Sequence, residues 1–130
     1  MKRSSTIILD DEDKEFVDLL VGLGVKINVA KILVYLVGAG ECISRDIERG
    51  TDLRQPEVSM AMRKFREKGW IDEEEIKHGG KGRPLKRYKL AVAIDGILNI
   101  LEDEKRRDAK KDLEEIDRLR EMVKKLTKER

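Results

Sequence analysis

The sequence predicts a mainly α-helical fold with a small β-hairpin, followed by a long, coiled-coil-like C-terminal helix. Three observations carry that prediction. Apolar residues recur at three- and four-residue spacing in successive stretches before Gly69; one pair of short extended stretches follows, joined by a glycine-rich tip; and beyond Gly96 neither glycine nor proline occurs again. The chain has 130 residues, 39% hydrophobic and 4% aromatic, enough for one modest core and too little for two large domains.

Residues 1–12 carry no helical or strand period and end in acid, so they read as a flexible N-terminal arm. From there Phe16, Val17, Leu19, Leu20 and Leu23 repeat as on a short helix that Gly22 and Gly24 end. The run NVAKILVYLV places Val29, Ile32, Leu33, Leu36 and Val37 on one side of a buried second helix. Cys42 and Ile43 make a very short strand, Ser44 is the expected N-cap of a third helix around Ile47, and Gly50 is its expected end. After a turn at Thr51, Asp52 and Leu53, Pro56 opens a fourth helix whose Val58, Ala61, Met62 and Phe65 recur at three and four. Trp70 and Ile71 lead into a two-stranded hairpin whose tip is HGGKGRP and whose return strand is LKRYKL. The final helix, from about Val92, is expected to bury Ile94, Ile97, Leu98 and Leu101. Beyond a polar interruption, Ala109, Leu113, Ile116, Leu119, Val123 and Leu126 resume an apolar stripe read as a coiled-coil seam, with Asp112 at one of its positions.

Three helices, a turn between the third and fourth, then a basic-tipped hairpin is the order of a winged helix-turn-helix. The stretch IERGTDLRQPEVSMAMRKFREKGWI resembles the helix-turn-helix of the MarR, ArsR and TrmB regulators, with Ile47, Leu53, Val58, Met62 and Phe65 at packing positions. GKGRPLKRYKL, with Gly82, Arg83, Pro84 and Tyr88, is similar to the wing of the same group, above all its archaeal TrmB-like members. The resemblance covers about residues 16–91 and implies a cytoplasmic transcriptional regulator binding double-stranded DNA. Two positions depart from the pattern: Glu48 stands where a small residue usually faces the partner helix, implying a looser helix pair, and Asp52 replaces the usual turn glycine. The full-length TrmB sugar-binding domain has no counterpart, so no sugar response is implied. The resulting division is 1–12 arm, 13–91 DNA-binding winged domain and 92–130 dimerisation helix.

The residues support the same reading without the resemblance. Projected at 100° per residue, Val58, Met62 and Phe65 fall in one sector while Met60, Arg63, Lys64 and Glu67 point away. A helix fits the major groove, where Gln reads adenine and Arg reads guanine, so Arg54, Gln55, Ser59, Arg63 and Lys64 are the recognition candidates. Glu57 either accepts from a cytosine amine or acts as a specificity filter, and Met60 either meets a thymine methyl or is simply exposed. Residues 77–89 hold Lys77, Lys81, Arg83, Lys86, Arg87 and Lys89 with no acid, so Lys81, Arg83, Lys86 and Arg87 are candidates for phosphate or minor-groove contact. Residues 10–18 hold six acids against Lys14, which turns the first helix away from nucleic acid.

Composition excludes other chemistry. The lone Cys42 and lone His78 allow no intrachain disulfide and too few ligands for a zinc finger; a reducing compartment is expected, with no metal and no cofactor. Cys42 reads as a buried small hydrophobe or, alternatively, as a redox switch between subunits; His78 reads as a polar residue at a strand end or a pH sensor. No nucleophile triad, phosphate loop or carboxylate pair is present, so no enzyme is expected, and no apolar run suits a membrane span or signal peptide. A homodimer through residues 109–126 is the expected assembly; the alternative is a winged-helix module that docks on a protein through its long helix. Whether a small-molecule effector acts is open.

Overall fold

The computed structural model describes residues 9–76 and 85–129. The chain is mainly α-helical, with a small antiparallel sheet and a long C-terminal helix: the winged helix fold that the order of elements predicts. It divides into two compact units, Met1–Ile94 and Asp95–Arg130.

Helix α1 spans Asp11–Gly22, so Asp11 and Glu12 belong to the helix and not to an arm. Two aspartates fix this start. Asp13 donates its backbone N–H to Asp10 Oδ1 at 2.8 Å, and Asp10 donates its own to Asp13 Oδ2 at 3.0 Å. The two acids, Asp10 at the end of the expected arm and Asp13 at the start of the domain, thus satisfy orphan amides and complement the positive end of the helix dipole. Val17 and Leu20 are buried, but Leu19 and Leu23 face solvent, so only part of the apolar repeat of α1 is core.

Helix α2, Ile27–Ala39, is apolar nearly all round and is covered by α1, α3, α4 and the sheet. Val37 departs from the expected buried side and is 40% exposed. Strand β1, Cys42–Ile43, runs straight into α3, Ser44–Thr51. Ile43, not Ser44, is the N-cap residue; it donates its N–H to Asp46 Oδ2 at 3.3 Å, so the acid at the third helical position reaches back to the N-cap backbone.

Gly50 does not end α3. It lies within the helix, and a Cβ placed there would stand 1.9 Å from Tyr35 Cε1, so glycine is what lets α3 approach the ring on α2. The small residue at this contact is therefore Gly50, while Glu48 is half-buried; the expected looseness from Glu48 is replaced by a close approach two positions on. Asp52 closes the helix at φ 56° and ψ 38°, a left-handed conformation that a short polar side chain tolerates.

Helix α4 spans Gln55–Lys68 and ends at Gly69, whose φ of 70° suits glycine. Val58, Ala61, Met62 and Phe65 are buried, as their spacing predicts. Phe65 meets Trp70 edge-on with centroids 6.3 Å apart, and Lys68 Nζ lies 5.0 Å from the Trp70 ring centre. Strands β2, Ile71–Ile76, and β3, Leu85–Leu90, pair antiparallel from Ile71 opposite Leu90 to Ile76 opposite Leu85. The expected two-stranded hairpin gains a third strand: β1 pairs with β3 through Cys42 opposite Tyr88 and Ile43 opposite Arg87, giving the order β1-β3-β2. Helix α5, Ile94–Lys128, is about 50 Å long at 1.5 Å per residue. Ile97 is fully buried, Ile94 and Leu101 are half-buried, and Leu98 is 38% exposed, so the expected buried group is narrower by Leu98.

Gly50→Ala forces a methyl into the Tyr35 ring and is expected to cost about 1–3 kcal/mol in urea unfolding. Gly22→Ala, where a Cβ meets nothing within 4 Å, is the control and is expected to be neutral or stabilising by up to about 1 kcal/mol.

Candidate nucleic-acid interface

The two faces of α4 have opposite character. Its core face packs into the domain, which presents Arg54, Gln55, Ser59, Met60, Arg63 and Lys64 to solvent. Because the backbone turn at Asp52 and the glycine exit at Gly69 both hold, the orientation of this outer face is set by the buried Val58, Met62 and Phe65. The N-terminal turn is organised locally. Gln55 Nε2 donates to Ser59 Oγ at 2.9 Å, one turn away, so both polar side chains are aligned on the same exposed strip. Arg63 and the guanidinium of Arg54 have no ion-pair partner among the described residues.

Glu57, a candidate base contact or specificity filter from its sequence position, also has a structural role. Its Oε1 accepts the Arg54 backbone N–H at 3.0 Å, closing the N-terminus of α4. The carboxylate is thereby held at the helix start, where it complements the dipole. Lys64 Nζ lies 3.8 Å from Glu67 Oε2, an exposed pair that a phosphate can displace at little cost.

The strand cations are held more firmly than the sequence indicated. Glu73 on β2 bonds Arg66 of α4 and lies 3.8 Å from Lys86 Nζ, and Arg87 Nη1 lies 3.5 Å from Glu41 Oε2. Lys86 and Arg87 therefore stand beside acids of neighbouring elements, so two cations of a run that reads as uncompensated in sequence have partners in the fold. Sequence spacing missed this, because Glu41 and Glu73 are 46 and 13 residues away from these cations and only the β1-β3-β2 pairing brings them together. Lys77, His78, Lys81 and Arg83 lie outside the described residues.

An apolar element beside α4 also escaped the sequence reading. Lys26, Ile27, Asn28 and Val29 at the start of α2, with Glu57, Met60, Ala61 and Lys64, line an open hollow of about 400 Å³. Met60 is 71% exposed and Ile27 52% exposed, so the outer side of α4 combines cations with an apolar patch. The exposed Ile27 was the available signal: it precedes the apolar run of α2 by one residue and has no place in its buried face.

The buried polar chemistry lies elsewhere. Burial first, and the charge of Asp46 second, push the Cys42 thiol up to about 12; burial, then Cys42 and Asp46, push Tyr35 up to about 12. Burial first and Glu73 second raise Tyr88, with Arg66 opposing. None of these lies on the outer face of α4. Glu73, Glu74 and Glu75 do not converge, and the described residues contain no group of three potential metal ligands. Among them no helix is long and apolar enough to cross a membrane.

The same architecture occurs in solved structures. A possible transcriptional regulator from Methanosarcina mazei Go1 superposes with a TM-score of 0.61 at 16% identity, over 80% of this chain and 86% of that one. NadR in complex with 4-hydroxyphenylacetate superposes with a TM-score of 0.51 at 16% identity, over 87% of this chain and 82% of that one. At this identity the likeness concerns the fold, a winged helix with a long helix after it. No protein-family model and no curated relative matches the sequence.

Two outcomes follow for the buried groups. Cys42 is expected to resist thiol reagents at pH 8 in the native protein and to react within minutes once unfolded, because the native thiol stays protonated and covered. Stability is expected to be level through neutral pH and to fall as pH rises from about 9 towards 12. Over that range the unfolded chain releases the Cys42 and Tyr35 protons that the native state retains, so denaturant melts at pH 7 and pH 11 check the sign.

Proposed function

We propose that this protein is a DNA-binding transcriptional regulator that places α4 in the major groove and acts as a homodimer. One observation supports the reading above the others: Gln55, Ser59 and Arg63 follow one another at four-residue spacing on the solvent-facing side of α4, with Arg54 exposed at its N-cap, on a helix whose opposite face is buried in the core. Names of the structural neighbours agree with it, one being described as a possible transcriptional regulator.

In this reading Arg54 and Lys64 meet phosphates, Gln55 and Arg63 reach base edges, and Ser59 orients the Gln55 amide. Met60, with Ile27 behind it, offers apolar contact to a thymine methyl. Glu57 acts indirectly, by holding the first turn. Lys81 and Arg83 of the wing tip remain phosphate or minor-groove candidates from their sequence, whereas Lys86 and Arg87 exchange partners with Glu73 and Glu41 if they contribute. The dimer forms through α5, where Leu113, Ile116, Leu119, Val123 and Leu126 are between 43% and 63% exposed in the single chain; Ala109 continues their stripe.

Selection of bound fragments from random duplexes, followed by anisotropy titration, tests this. Arg63→Ala is expected to cost about 1–3 kcal/mol on the selected duplex and to relax preference at one base pair. Arg54→Ala is expected to weaken all duplexes alike and to make the log-log salt slope shallower by about 0.9. Absence of duplex binding at about 50 mM salt would overturn the reading in favour of a protein-docking module that uses α5.

A further inference from the structure

The exposed stripe of α5 has a symmetry of its own. Ile94, Leu98, Leu101, Lys105, Asp112, Ile116, Leu119 and Val123 are spaced 4, 3, 4, 7, 4, 3 and 4 residues apart, a series that is the same read in either direction. Projected at 100° per residue, all eight fall within a sector about 60° wide. Leu98, Ile116, Leu119 and Val123 in that sector are 38%, 43%, 59% and 60% exposed. Lys105 and Asp112, the two charged members, are exposed and make no ion pair among the described residues.

We infer that the partner of this face is a second copy of α5 running antiparallel, with the two-fold axis between Asp108 and Ala109. The inference rests on the dimer reading, specifies its orientation and shifts its seam: Ile116, Leu119 and Val123 stay, while Ile94, Leu98, Leu101, Lys105 and Asp112 take the place of Leu113 and Leu126. A two-fold antiparallel pair sets residue i of one helix against residue 217 − i of the other, and the reversed spacing then matches every member. Leu98 meets Leu119 of the second copy, Leu101 meets Ile116 and Ile94 meets Val123. Lys105 meets Asp112, and symmetry makes that pair twice.

A parallel, in-register pair fails at the same two positions. It sets Lys105 against Lys105 and Asp112 against Asp112, two like-charge layers inside the stripe, and opposite charges facing across an interface select one alignment over the other. Ala109 lies next to the axis, where a small side chain lets the helices come close. Ile97 stays outside the pairing sector; it is the fully buried residue of the helix.

Charge exchange with sedimentation, and distance measurement between spin labels, test the orientation. Lys105→Glu is expected to weaken the dimer by about tenfold or more, and Lys105→Glu with Asp112→Lys to restore it to within about threefold. A label at Thr127→Cys in a Cys42→Ala background is expected to give about 55 Å between copies at 1.5 Å per residue, against under about 20 Å for a parallel pair. A dimer with the short distance, or one indifferent to Lys105→Glu, overturns the antiparallel arrangement and leaves the dimer standing. A monomer at tens of micromolar with α5 still helical overturns both.

Discussion

Helix α2 cannot be left in water, and the winged domain is organised around covering it. Eight of its 13 residues are buried, Ala30 and Ile32 completely, and α1, α3, α4 and β3 all pack on it. Burying one such Leu or Ile side chain is worth roughly 1.5–3 kcal/mol, so the arrangement of the other elements is decided by which of them can reach this helix. The closest approach occurs where Gly50 accepts the Tyr35 ring, and it fixes α3 on α2. With α3 held and the Asp52 turn in its left-handed conformation, α4 leaves at a set angle, with Val58, Met62 and Phe65 inward and its polar strip outward. The outward face of α4 is thus a consequence of core packing.

Electrostatics then divide the molecule. The formal net charge of +2 conceals acids at the start of α1, where they cap and complement the helix dipole, and cations around α4 and the hairpin. Glu73 stands beside Arg66 of α4 and Lys86 of β3, and Glu41 beside Arg87, whereas Arg54 and Arg63 at α4 have no ion-pair partner among the described residues.

Much of the fold was legible because its signals are local. The periods of α2 and α4, Pro56 near a helix start and Gly69 after a helix end each belong to a few neighbouring residues, and each is where the structure has it. What the sequence concealed depends on distant residues meeting. Gly50 read as a helix stop because glycine usually punctuates, and only the Tyr35 ring, 15 positions earlier, reveals a packing role. The short strand at Cys42–Ile43 was legible, but its partner was not: pairing with Tyr88 and Arg87, 46 and 44 residues on, makes it the third strand of the sheet. At the candidate interface the exposed strip was visible from helical projection, whereas the capping role of Glu57 and the compensation of Lys86 and Arg87 required coordinates. Asp10 shows the opposite error: an acid that read as the end of a tail forms a reciprocal cap with Asp13.

The central claim is that the outer face of α4 is the surface that meets a duplex. Backbone amide chemical shifts, followed while a selected duplex is titrated into the labelled protein, test it most directly. The account predicts the largest changes across residues 54–64 and around Ile27, with the acidic start of α1 unmoved. Changes confined to α1 or to the second half of α5, with residues 54–64 silent, would contradict it.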